Sequence, residues 1–471
     1  MSRYRRQTSN HIAPPSKRRG NSTSSADLPL LDLHPFLSDK DSAVSLKISP
    51  SDLSDLFSSY CEEHNLESRE TWIVTKSIVR TIQSSTNNVS FPYKSLYTPQ
   101  EAILAKCKSL LDFRPPQLAT EEYGPSGNEK VFGFTHFHSS LFSYRFKDSY
   151  AAIPSTPNDY DVDVISDYAN EEVRLEARVA KNTDTNTFYP TVPEAFFKNE
   201  NFLFNAINSI TPLKTGIDPE SLRDAMWKFS RKGPHCREAT SFFPSKVKGL
   251  LKTVFPNTKR VLDPCSGWGD RLLGSMASNV KHYVGVDPNS KLFPGYRKLE
   301  DWMKQVGSKT TVDMFNSPFE SVDLAGFENY FDLVFTGPPF FTFEVYTEEV
   351  GQSVEAKTSC DEWIAGWLFP MVVKSLEYLK KDGHLALYIA DLFKPYIFVE
   401  PLCLFIEIFC QCQFKGCVSF VSGRNAYRPI WVWQKTGKQN PTRVEEAKRV
   451  FAQNYPELWT LVNKLRNEVS N

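Results

Sequence analysis

The chain has 471 residues, of which 41% are hydrophobic and 13% aromatic, and its 55 basic residues balance 55 acidic ones. This length and apolar content allow two or three domains with buried cores, and they exclude a disordered chain. The zero net charge excludes an overall electrostatic attraction to nucleic acid, so any such surface must be local.

Apolar runs and cysteines indicate the compartment. No apolar run reaches the about 18 residues that a membrane helix needs. The nine cysteines form no CxxC pair and lie inside apolar runs, as free buried thiols do in a reducing compartment. We therefore predict an intracellular protein without a membrane partner, and leave nucleus or cytoplasm open.

The first segment, residues 1–28, is basic and polar. Arginine and lysine alternate there with serine, asparagine and proline, without apolar periodicity. We predict a disordered basic tail. Two interpretations stay open: a nucleic-acid contact or nuclear-import signal, and a solvated tail.

Residues 29–223 are predicted to form a mainly helical accessory region. Its clearest helix begins at Pro99 after Thr98, a typical helix N-terminus. The region could contact a substrate, but a structural role or the binding of a protein partner is the favoured interpretation. An acidic stretch, residues 159–172, would repel phosphates, so we expect no nucleic-acid backbone beside it.

Two groups of side chains could be metal ligands. His136 and His138 would share one strand face, but no third ligand is near, and ordinary packing is favoured. A cysteine cluster near the C-terminus has no CxxC spacing; it comprises Cys403, Cys410, Cys412 and Cys417. We predict no metal site.

The most informative stretch opens a predicted α/β domain at residues 224–440. A short strand, Arg260-Val261-Leu262, is followed by a turn with Gly267 and Gly269, and then by a helix beginning near Asp270. A strand that turns through glycine into a helix is typical of nucleotide-binding elements, because the missing side chains let a ligand reach backbone N–H groups.

A second strand completes this predicted nucleoside site. Tyr283-Val284-Gly285-Val286 ends in Asp287, about twenty residues beyond the glycine turn. A carboxylate at this position can accept hydrogen bonds from both hydroxyls of a bound ribose. The two strands therefore predict one cofactor site.

A third strand leads into a proline pair. The apolar run Phe331–Phe335 continues into Thr336-Gly337-Pro338-Pro339-Phe340-Phe341. The prolines restrict the backbone and remove two N–H donors, so the segment exposes carbonyls beside two aromatic rings. A planar substrate could stack there.

At these residues the chain resembles class I S-adenosylmethionine-dependent methyltransferases, and within them the amino-methyltransferases of adenine or cytosine. Their DPFxGxG-like and [D/N/S]PP[Y/F/W] motifs correspond to Asp263-Pro264-Cys265-Ser266-Gly267-Trp268-Gly269 and Gly337-Pro338-Pro339-Phe340. The chain looks most like phage-type DNA methyltransferases with a TSPPYFxxExYxxExxQS motif, whose later positions match Glu344, Tyr346, Glu349, Gln352 and Ser353. The resemblance covers roughly residues 242–435.

This resemblance implies a Rossmann-like fold with a seven-stranded, mostly parallel sheet and an antiparallel terminal hairpin. It implies S-adenosyl-L-methionine as the cofactor and a nucleic-acid substrate, DNA or RNA, methylated at adenine N6 or cytosine N4. The cofactor-binding residues would be Phe243, Pro244, Asp263, Pro264, Gly267, Gly269, Asp287 and Asn316. The catalytic residues would be Thr336, Gly337, Pro338, Pro339 and Phe340, and the substrate-binding residues Phe341, Glu344 and Tyr346.

One position departs from the family pattern. The first motif position normally accepts a hydrogen bond from the target amine, and Gly337 has no side chain to do so. We expect the Pro338 carbonyl, or Thr336 reaching in, to replace it. Two alternatives stay open: a protein or small-molecule acceptor, and a catalytically inactive methyltransferase fold that serves as a binding subunit. Activity gained by substituting Gly337 with Asn or Ser would favour the nucleic-acid enzyme.

The last segment, residues 441–471, is predicted to be one charged helix on the outside of the domain.

Overall fold

The computed structural model describes residues 33, 56, 59, 71–85, 89–120, 135–146, 151–155, 159–181, 185–210, 218–232, 234–355, 357–392, 396–422 and 426–470. The predicted basic tail, residues 1–28, lies outside this set. Within the set, no helix is both long and apolar enough to cross a membrane.

Short and long strands alternate with helices along the described chain. The strands are β1 (Ala119–Thr120), β2 (Ala151–Ile153), β3 (Arg178–Val179), β4 (Arg260–Asp263), β5 (His282–Asp287), β6 (Thr311–Asn316), β7 (Phe331–Thr336), β8 (Glu344–Val345), β9 (Leu379–Leu387), β10 (Cys412–Ser422) and β11 (Ala426–Lys435). The helices of the first half are α1 (Thr71–Ser84), α2 (Lys94–Tyr97), α3 (Gln100–Asp112), α4 (Asp159–Val162), α5 (Asp167–Glu176), α6 (Val192–Lys198), α7 (Glu200–Ser209) and α8 (Pro219–Lys232). Those of the second half are α9 (Pro244–Gly249), α10 (Asp270–Ala277), α11 (Phe293–Gln305), α12 (Cys360–Trp363), α13 (Phe369–Tyr378), α14 (Val399–Phe409), α15 (Pro441–Asn454) and α16 (Pro456–Ser470).

One nine-stranded sheet organises the described residues, in the order β1-β2-β10-β11-β9-β7-β4-β5-β6. In the sheet order β9-β7-β4-β5-β6, all neighbouring strands are parallel. Strand β11 is antiparallel to both β9 and β10. This confirms the predicted Rossmann-like α/β fold, with its mostly parallel sheet and antiparallel terminal hairpin. The accessory region adds β1 and β2 beyond β10.

The central parallel strands β4, β5 and β7 form because most of their side chains are buried, on both faces of the sheet. Val261 and Tyr283 pack in the core on one face of the sheet, while Leu262 and Val284 pack on the other. Alternating side chains of a strand point to opposite faces, so a strand covered on both sides needs a continuous apolar run. The parallel register then brings the carboxyl ends of β4, β5 and β7 to one edge.

The accessory region has a core of its own. Ile78 of α1, Phe196 of α6, Phe202 of α7 and Met226 of α8 are buried in one cluster. The border predicted at residue 224 falls inside α8, and the division into domains stays a prediction.

Two carboxylates of the acidic stretch at 159–172, Asp167 and Glu171, are buried and paired with cations, while Asp161 and Glu172 are exposed. Asp167 accepts hydrogen bonds from Lys94 at 2.5 Å and from Arg174 at 2.9 Å, and Glu171 accepts one from Arg223 at 2.9 Å. Burial opposes the ionisation of Asp167, but Arg174 and Lys94 outweigh it and hold the pKa of Asp167 below its ordinary value. Arg174 lies on the same helix as Asp167, but Lys94 and Arg223 are more than fifty residues away, so the sequence did not reveal their part in this pairing.

The C-terminal segment contains two helices instead of the single one predicted. α15 ends at Asn454, and α16 begins at Pro456. A proline ring clashes inside a continuous helix but fits a first turn, so the chain bends at Tyr455. Phe451 and Leu458 are buried in the same core cluster as Leu262 of β4 and Val284 of β5.

Candidate active site

The loop between β4 and α10 is built on two left-handed glycines. Gly267 has φ 57° and Gly269 has φ 94°, a conformation that strains residues with a Cβ. At Gly269 a Cβ would also lie 2.5 Å from Leu299 Cδ1. The backbone shape predicted from these glycines is therefore present, and α10 begins at Asp270 as expected.

The carboxylate of Asp287 closes this loop onto the end of β5. Its Oδ2 accepts a hydrogen bond from Gly267 N at 2.8 Å, and its Oδ1 accepts one from Asn289 N at 3.0 Å. Burial raises the pKa of Asp287 to about 6, although the two N–H donors oppose the shift. Asp287 thus holds the glycine loop in place at the position predicted for the ribose acceptor.

A buried ion pair at the two ends of the glycine loop supports it. Arg271 Nε donates to Asp263 Oδ2 at 2.7 Å, and Tyr283 Oη donates to the same oxygen at 2.8 Å. Asp263 is fully buried, so it orients Arg271 and does not contact a ligand directly. Arg271 also donates to the Cys265 carbonyl, while Nη1 has no hydrogen-bond acceptor among the described residues.

A cavity of about 820 Å³ lies where the glycine loop, the end of β5 and the segment after β7 meet. This volume is within the range of small-molecule sites. Ten of the residues predicted from the sequence line it: Phe243, Pro264, Gly267, Asp287, Gly337, Pro338, Pro339, Phe340, Glu344 and Tyr346. Three separate sequence motifs therefore face one space, and the roles of their residues stay predictions.

The other predicted residues lie outside the lining. They are Pro244, Asp263, Gly269, Asn316, Thr336 and Phe341. Thr336 is fully buried, and its hydroxyl accepts a hydrogen bond from Cys265 N at 3.1 Å. Contrary to expectation, Thr336 does not reach into the cavity, because its hydroxyl joins β7 to the glycine loop. Pro244 instead begins α9.

Asn316 and Phe341 also have other contacts than expected. The Asn316 amide donates to the carbonyls of Asp287 and Pro288, at 3.2 and 3.1 Å, and thereby links the ends of β5 and β6. Pro318 and Phe319, just after it, line the cavity. Phe341 is buried against Trp363, with ring centroids 6.1 Å apart. Of the two rings of the proline motif, only that of Phe340 lines the cavity.

Sequence reasoning missed several polar groups of the cavity wall. Ser241 Oγ, Asn289 Nδ2 and Gln352 Nε2 are buried and have no hydrogen-bond partner among the described residues, and all three residues line the cavity. Buried polar atoms without partners are costly, so these groups are suited to bind a polar ligand. Ser241 and Asn289 stand beside recognised motifs, but neither motif indicates that they lack partners.

The accessory region is joined to the glycine loop. Ser166 Oγ, just before α5, donates to Asp270 Oδ1 at 2.5 Å, and Asn170 Nδ2 of α5 donates to the Trp268 carbonyl at 2.9 Å. Asp270 Oδ2 accepts a further hydrogen bond from Phe242 N at 3.2 Å. Asp270 therefore connects three segments at the cavity wall.

The buried Asp270 predicts a pH dependence of stability. Burial raises the pKa of Asp270 to about 7, above the about 3.9 of an unfolded chain. A raised folded pKa stabilises the fold fully below about pH 4, and this contribution is lost as the pH rises through about 7. We expect the free energy of unfolding to fall from about pH 5 to about pH 8, and to fall less in Asp270→Asn.

Urea denaturation of wild type and Asp270→Asn at several pH values measures how the free energy of unfolding falls with pH. Asp287 contributes in the same direction, so a smaller slope should remain in the variant. Identical slopes for the two proteins would contradict the prediction.

The structure also explains the glycine at position 337. A Cβ there would lie 3.1 Å from Tyr388 Cδ1 and 3.5 Å from Arg271 Nη1. The space that an acceptor side chain would use is already occupied by a ring and a cation. The absence of a side chain at Gly337 therefore leaves room for Tyr388 and Arg271.

Gly337→Ser is accordingly expected to destabilise the protein by about 1–3 kcal/mol through overpacking, and not to increase activity. Gly366→Ser is a suitable control because its Cβ would meet only the flexible end of Lys357, at 3.3 Å. Urea denaturation measures the free energy of unfolding. Equal values for wild type and Gly337→Ser would show that the Tyr388 ring moves aside without loss of stability.

Among the described residues, no group of three or more His, Cys, Asp or Glu side chains could hold a metal ion.

Comparison with known proteins gives likenesses of fold. No protein-family model matches the chain, and no curated protein matches it in sequence. A SAM-dependent methyltransferase from Aquifex aeolicus is 17% identical, with 42% of this chain and 100% of that chain covered and a TM-score of 0.27. TrmN from Thermus thermophilus is 16% identical over 47% of this chain and 69% of its own, with a TM-score of 0.28. The M. jannaschii tRNA m1G37 methyltransferase is 12% identical over 42% of this chain and 49% of its own, with a TM-score of 0.25.

Proposed function

We propose that this protein transfers a methyl group from S-adenosyl-L-methionine to an exocyclic amine of a nucleic-acid base, adenine N6 or cytosine N4. The observation that carries the proposal is the single cavity of about 820 Å³ shared by the glycine loop, Asp287 and the Pro338-Pro339-Phe340 segment. One wall is suited to a nucleoside and the other to a flat amine.

The residues of the first wall fit the cofactor. A Cβ at Gly267 would meet no heavy atom closer than 3.8 Å, so this side of the loop leaves room for a ligand. Asp287 can accept from the ribose hydroxyls, and Asn289 Nδ2 beside it, which has no partner among the described residues, can donate to a ligand oxygen. Arg271 Nη1 is placed to bind a carboxylate, such as the one at the methionine end.

The adenine of the cofactor would lie beside Pro318 and Phe319. Both residues line the cavity just after β6, and so does Gln352, whose Nε2 has no partner in the described part of the chain. An apolar surface with one or two amide groups suits a purine ring. This arrangement replaces the sequence-based assignment of Asn316.

The opposite wall suits the acceptor. The cofactor supplies a methyl group on a positively charged sulfur, which an amine nitrogen can attack. The delocalised lone pair of an exocyclic amine makes it a weak nucleophile, so the protein must hold the ring and accept the amine hydrogen bonds. Phe340 offers a ring for stacking, and the Pro338 carbonyl offers an acceptor. A target inside a duplex would have to be flipped out first.

A labelling experiment tests the proposal. The purified protein is incubated with methyl-labelled S-adenosylmethionine and separate fractions of DNA, RNA, protein and small metabolites. We expect label in adenine or cytosine of DNA or RNA, and none with Asp287→Ala. Label in the protein or metabolite fraction would replace the nucleic-acid substrate with another acceptor. Cofactor binding without any transfer would favour an inactive binding subunit.

The partners of the accessory region stay predictions. A protein partner on this region, and the nucleus or cytoplasm as location, are compatible with a nucleic-acid-modifying enzyme. The charged groups that the accessory region brings to the cavity include Asp167, Arg174 and Arg223, which pair with other side chains. These pairs suit the support of the site better than the binding of a phosphate chain.

A further inference from the structure

The proposed reaction needs a hydrogen-bond acceptor that position 337 does not provide. Gly337 has no side chain, and Arg271 Nη1 would be 3.5 Å from a Cβ there. A guanidinium only donates hydrogen bonds. Tyr388, the other neighbour, already accepts from Arg428 Nη1 at 2.9 Å. The Pro338 carbonyl can accept one hydrogen bond, but an amide carbonyl is too weakly basic to take up the proton that the nitrogen loses. A stronger acceptor must therefore come from another part of the cavity wall.

Glu344 supplies such a carboxylate. It follows the proline motif closely in the chain and lines the same cavity as Gly337 and Pro338. Oε2 accepts a hydrogen bond from the Tyr346 hydroxyl, and Oε1 has no hydrogen-bond donor among the described residues. None of the described lysine, arginine or histidine side chains forms an ion pair with Glu344. One oxygen is thus anchored while the other stays available.

The accessory region fixes the position of this carboxylate. β8, which begins with Glu344, pairs antiparallel with β3, with Val179 opposite Glu344. Ala180 N also donates to the Phe343 carbonyl at 3.3 Å. Tyr346 is itself held edge-on against Trp268 of the glycine loop, with ring centroids 5.8 Å apart. The carboxylate is therefore held from both sides of the cavity.

Its surroundings increase its basicity. Burial raises the pKa of Glu344, and the Tyr346 hydrogen bond and the charge of Arg428 offset this only in part. A carboxylate with a raised pKa is a better proton acceptor once it is ionised. Glu344 therefore has the chemistry that transfer to a weakly nucleophilic amine requires.

We propose that Glu344 is the residue that accepts the hydrogen bond, and then the proton, of the target amine, with Tyr346 as its positioning residue. This inference rests on the proposed function. As the nitrogen bonds to the methyl carbon, the carbon–sulfur bond breaks and its electron pair goes to sulfur. The nitrogen becomes cationic, and its proton passes to Glu344 Oε1 and then to solvent.

The test compares Glu344→Gln, Glu344→Ala and Glu344→Asp with wild type. We expect Glu344→Gln to lower kcat about 10²-fold, to remove the rise of kcat with pH at the acidic end, and to leave the affinity for S-adenosylmethionine unchanged in calorimetry. Glu344→Asp should recover part of kcat. Tyr346→Phe should shift the acidic limb of the pH profile more than it changes KM.

A matched control and a binding measurement complete the experiment. Glu362→Gln alters a carboxylate that accepts from Thr358 N at 2.8 Å and Thr358 Oγ1 at 2.6 Å and that is not part of the cavity lining, so it should leave kcat unchanged. With the demethylated cofactor bound, so that the cofactor wall of the cavity is occupied, Glu344→Ala should also weaken the binding of adenosine or cytidine, the two probes used in calorimetry.

The outcomes separate the two proposals. An active wild type whose kcat falls less than about threefold in Glu344→Gln overturns the role of Glu344 and leaves the proposed function intact. A wild type that binds the cofactor but methylates no nucleic acid overturns both. Glu344→Ala that binds adenosine and cytidine as well as wild type does would likewise contradict the assignment.

Discussion

Asp287→Ala is expected to weaken the binding of S-adenosyl-L-methionine by about 10²- to 10⁴-fold. The side chain accepts hydrogen bonds from Gly267 N and Asn289 N, at 2.8 and 3.0 Å. A hydrogen bond to a charged group contributes about 1.5–3 kcal/mol, and each 1.4 kcal/mol corresponds to about tenfold in affinity. The variant loses the loop geometry and the proposed ribose acceptor together.

Calorimetry with the cofactor and with its demethylated product measures this loss. Asp313→Asn is the matched control, because Asp313 lies on the adjacent β6, is bonded to His282 Nε2 at 2.9 Å, and is not part of the cavity lining. Its affinity should equal that of wild type. A change below about threefold in Asp287→Ala would remove Asp287 from the binding site.

Asp263→Ala is expected to destabilise the protein by about 3–5 kcal/mol. Asp263 is fully buried and pairs with the nearly buried Arg271, at 2.7 Å from Nε. Removing the carboxylate leaves an unpaired cation in the interior, and the Tyr283 hydroxyl loses its acceptor as well. Urea denaturation at constant pH measures the difference.

A double variant separates the effect of the unpaired Arg271 charge from the effect of the packing lost with the Asp263 side chain. Asp263→Ala combined with Arg271→Met should recover part of the lost stability, because the unpaired cation is gone. Asp112→Ala breaks the exposed pair with Lys108, at 2.7 Å, and should cost no more than about 0.5 kcal/mol. A double variant less stable than the single one would show that Arg271 stabilises the fold independently of Asp263.

The central strands and the glycine loop could be predicted because their signals are local. The apolar runs at β4, β5 and β7 need burial on both faces, and the glycines after β4 permit a left-handed turn. Neighbouring residues alone determine both properties. The signal for the bend at Tyr455, which is the proline at position 456, was equally local. The helical pattern on both sides of it concealed the bend.

Assignments that depend on which way a side chain points were less successful. Thr336 and Phe341 belong to a recognised motif, yet the Thr336 hydroxyl bonds to Cys265 N and Phe341 is buried in the core, while Phe340 lines the cavity. Asn316 stands at a strand end, as predicted, but its amide binds two carbonyls. One residue of chain separates a cavity-facing side chain from a buried one, and a motif does not specify that difference.

By itself the sequence determined the α/β class, the order of its motifs and the carboxylate at the end of β5, because these follow from periodicity and from glycine and proline conformations. Only the tertiary structure decided that Arg271 and Tyr388 fill the space at Gly337, that Glu171 pairs with Arg223, and that β3 holds Glu344 at the cavity. These contacts join residues far apart in the chain. Their partners are selected by packing, which no local pattern encodes.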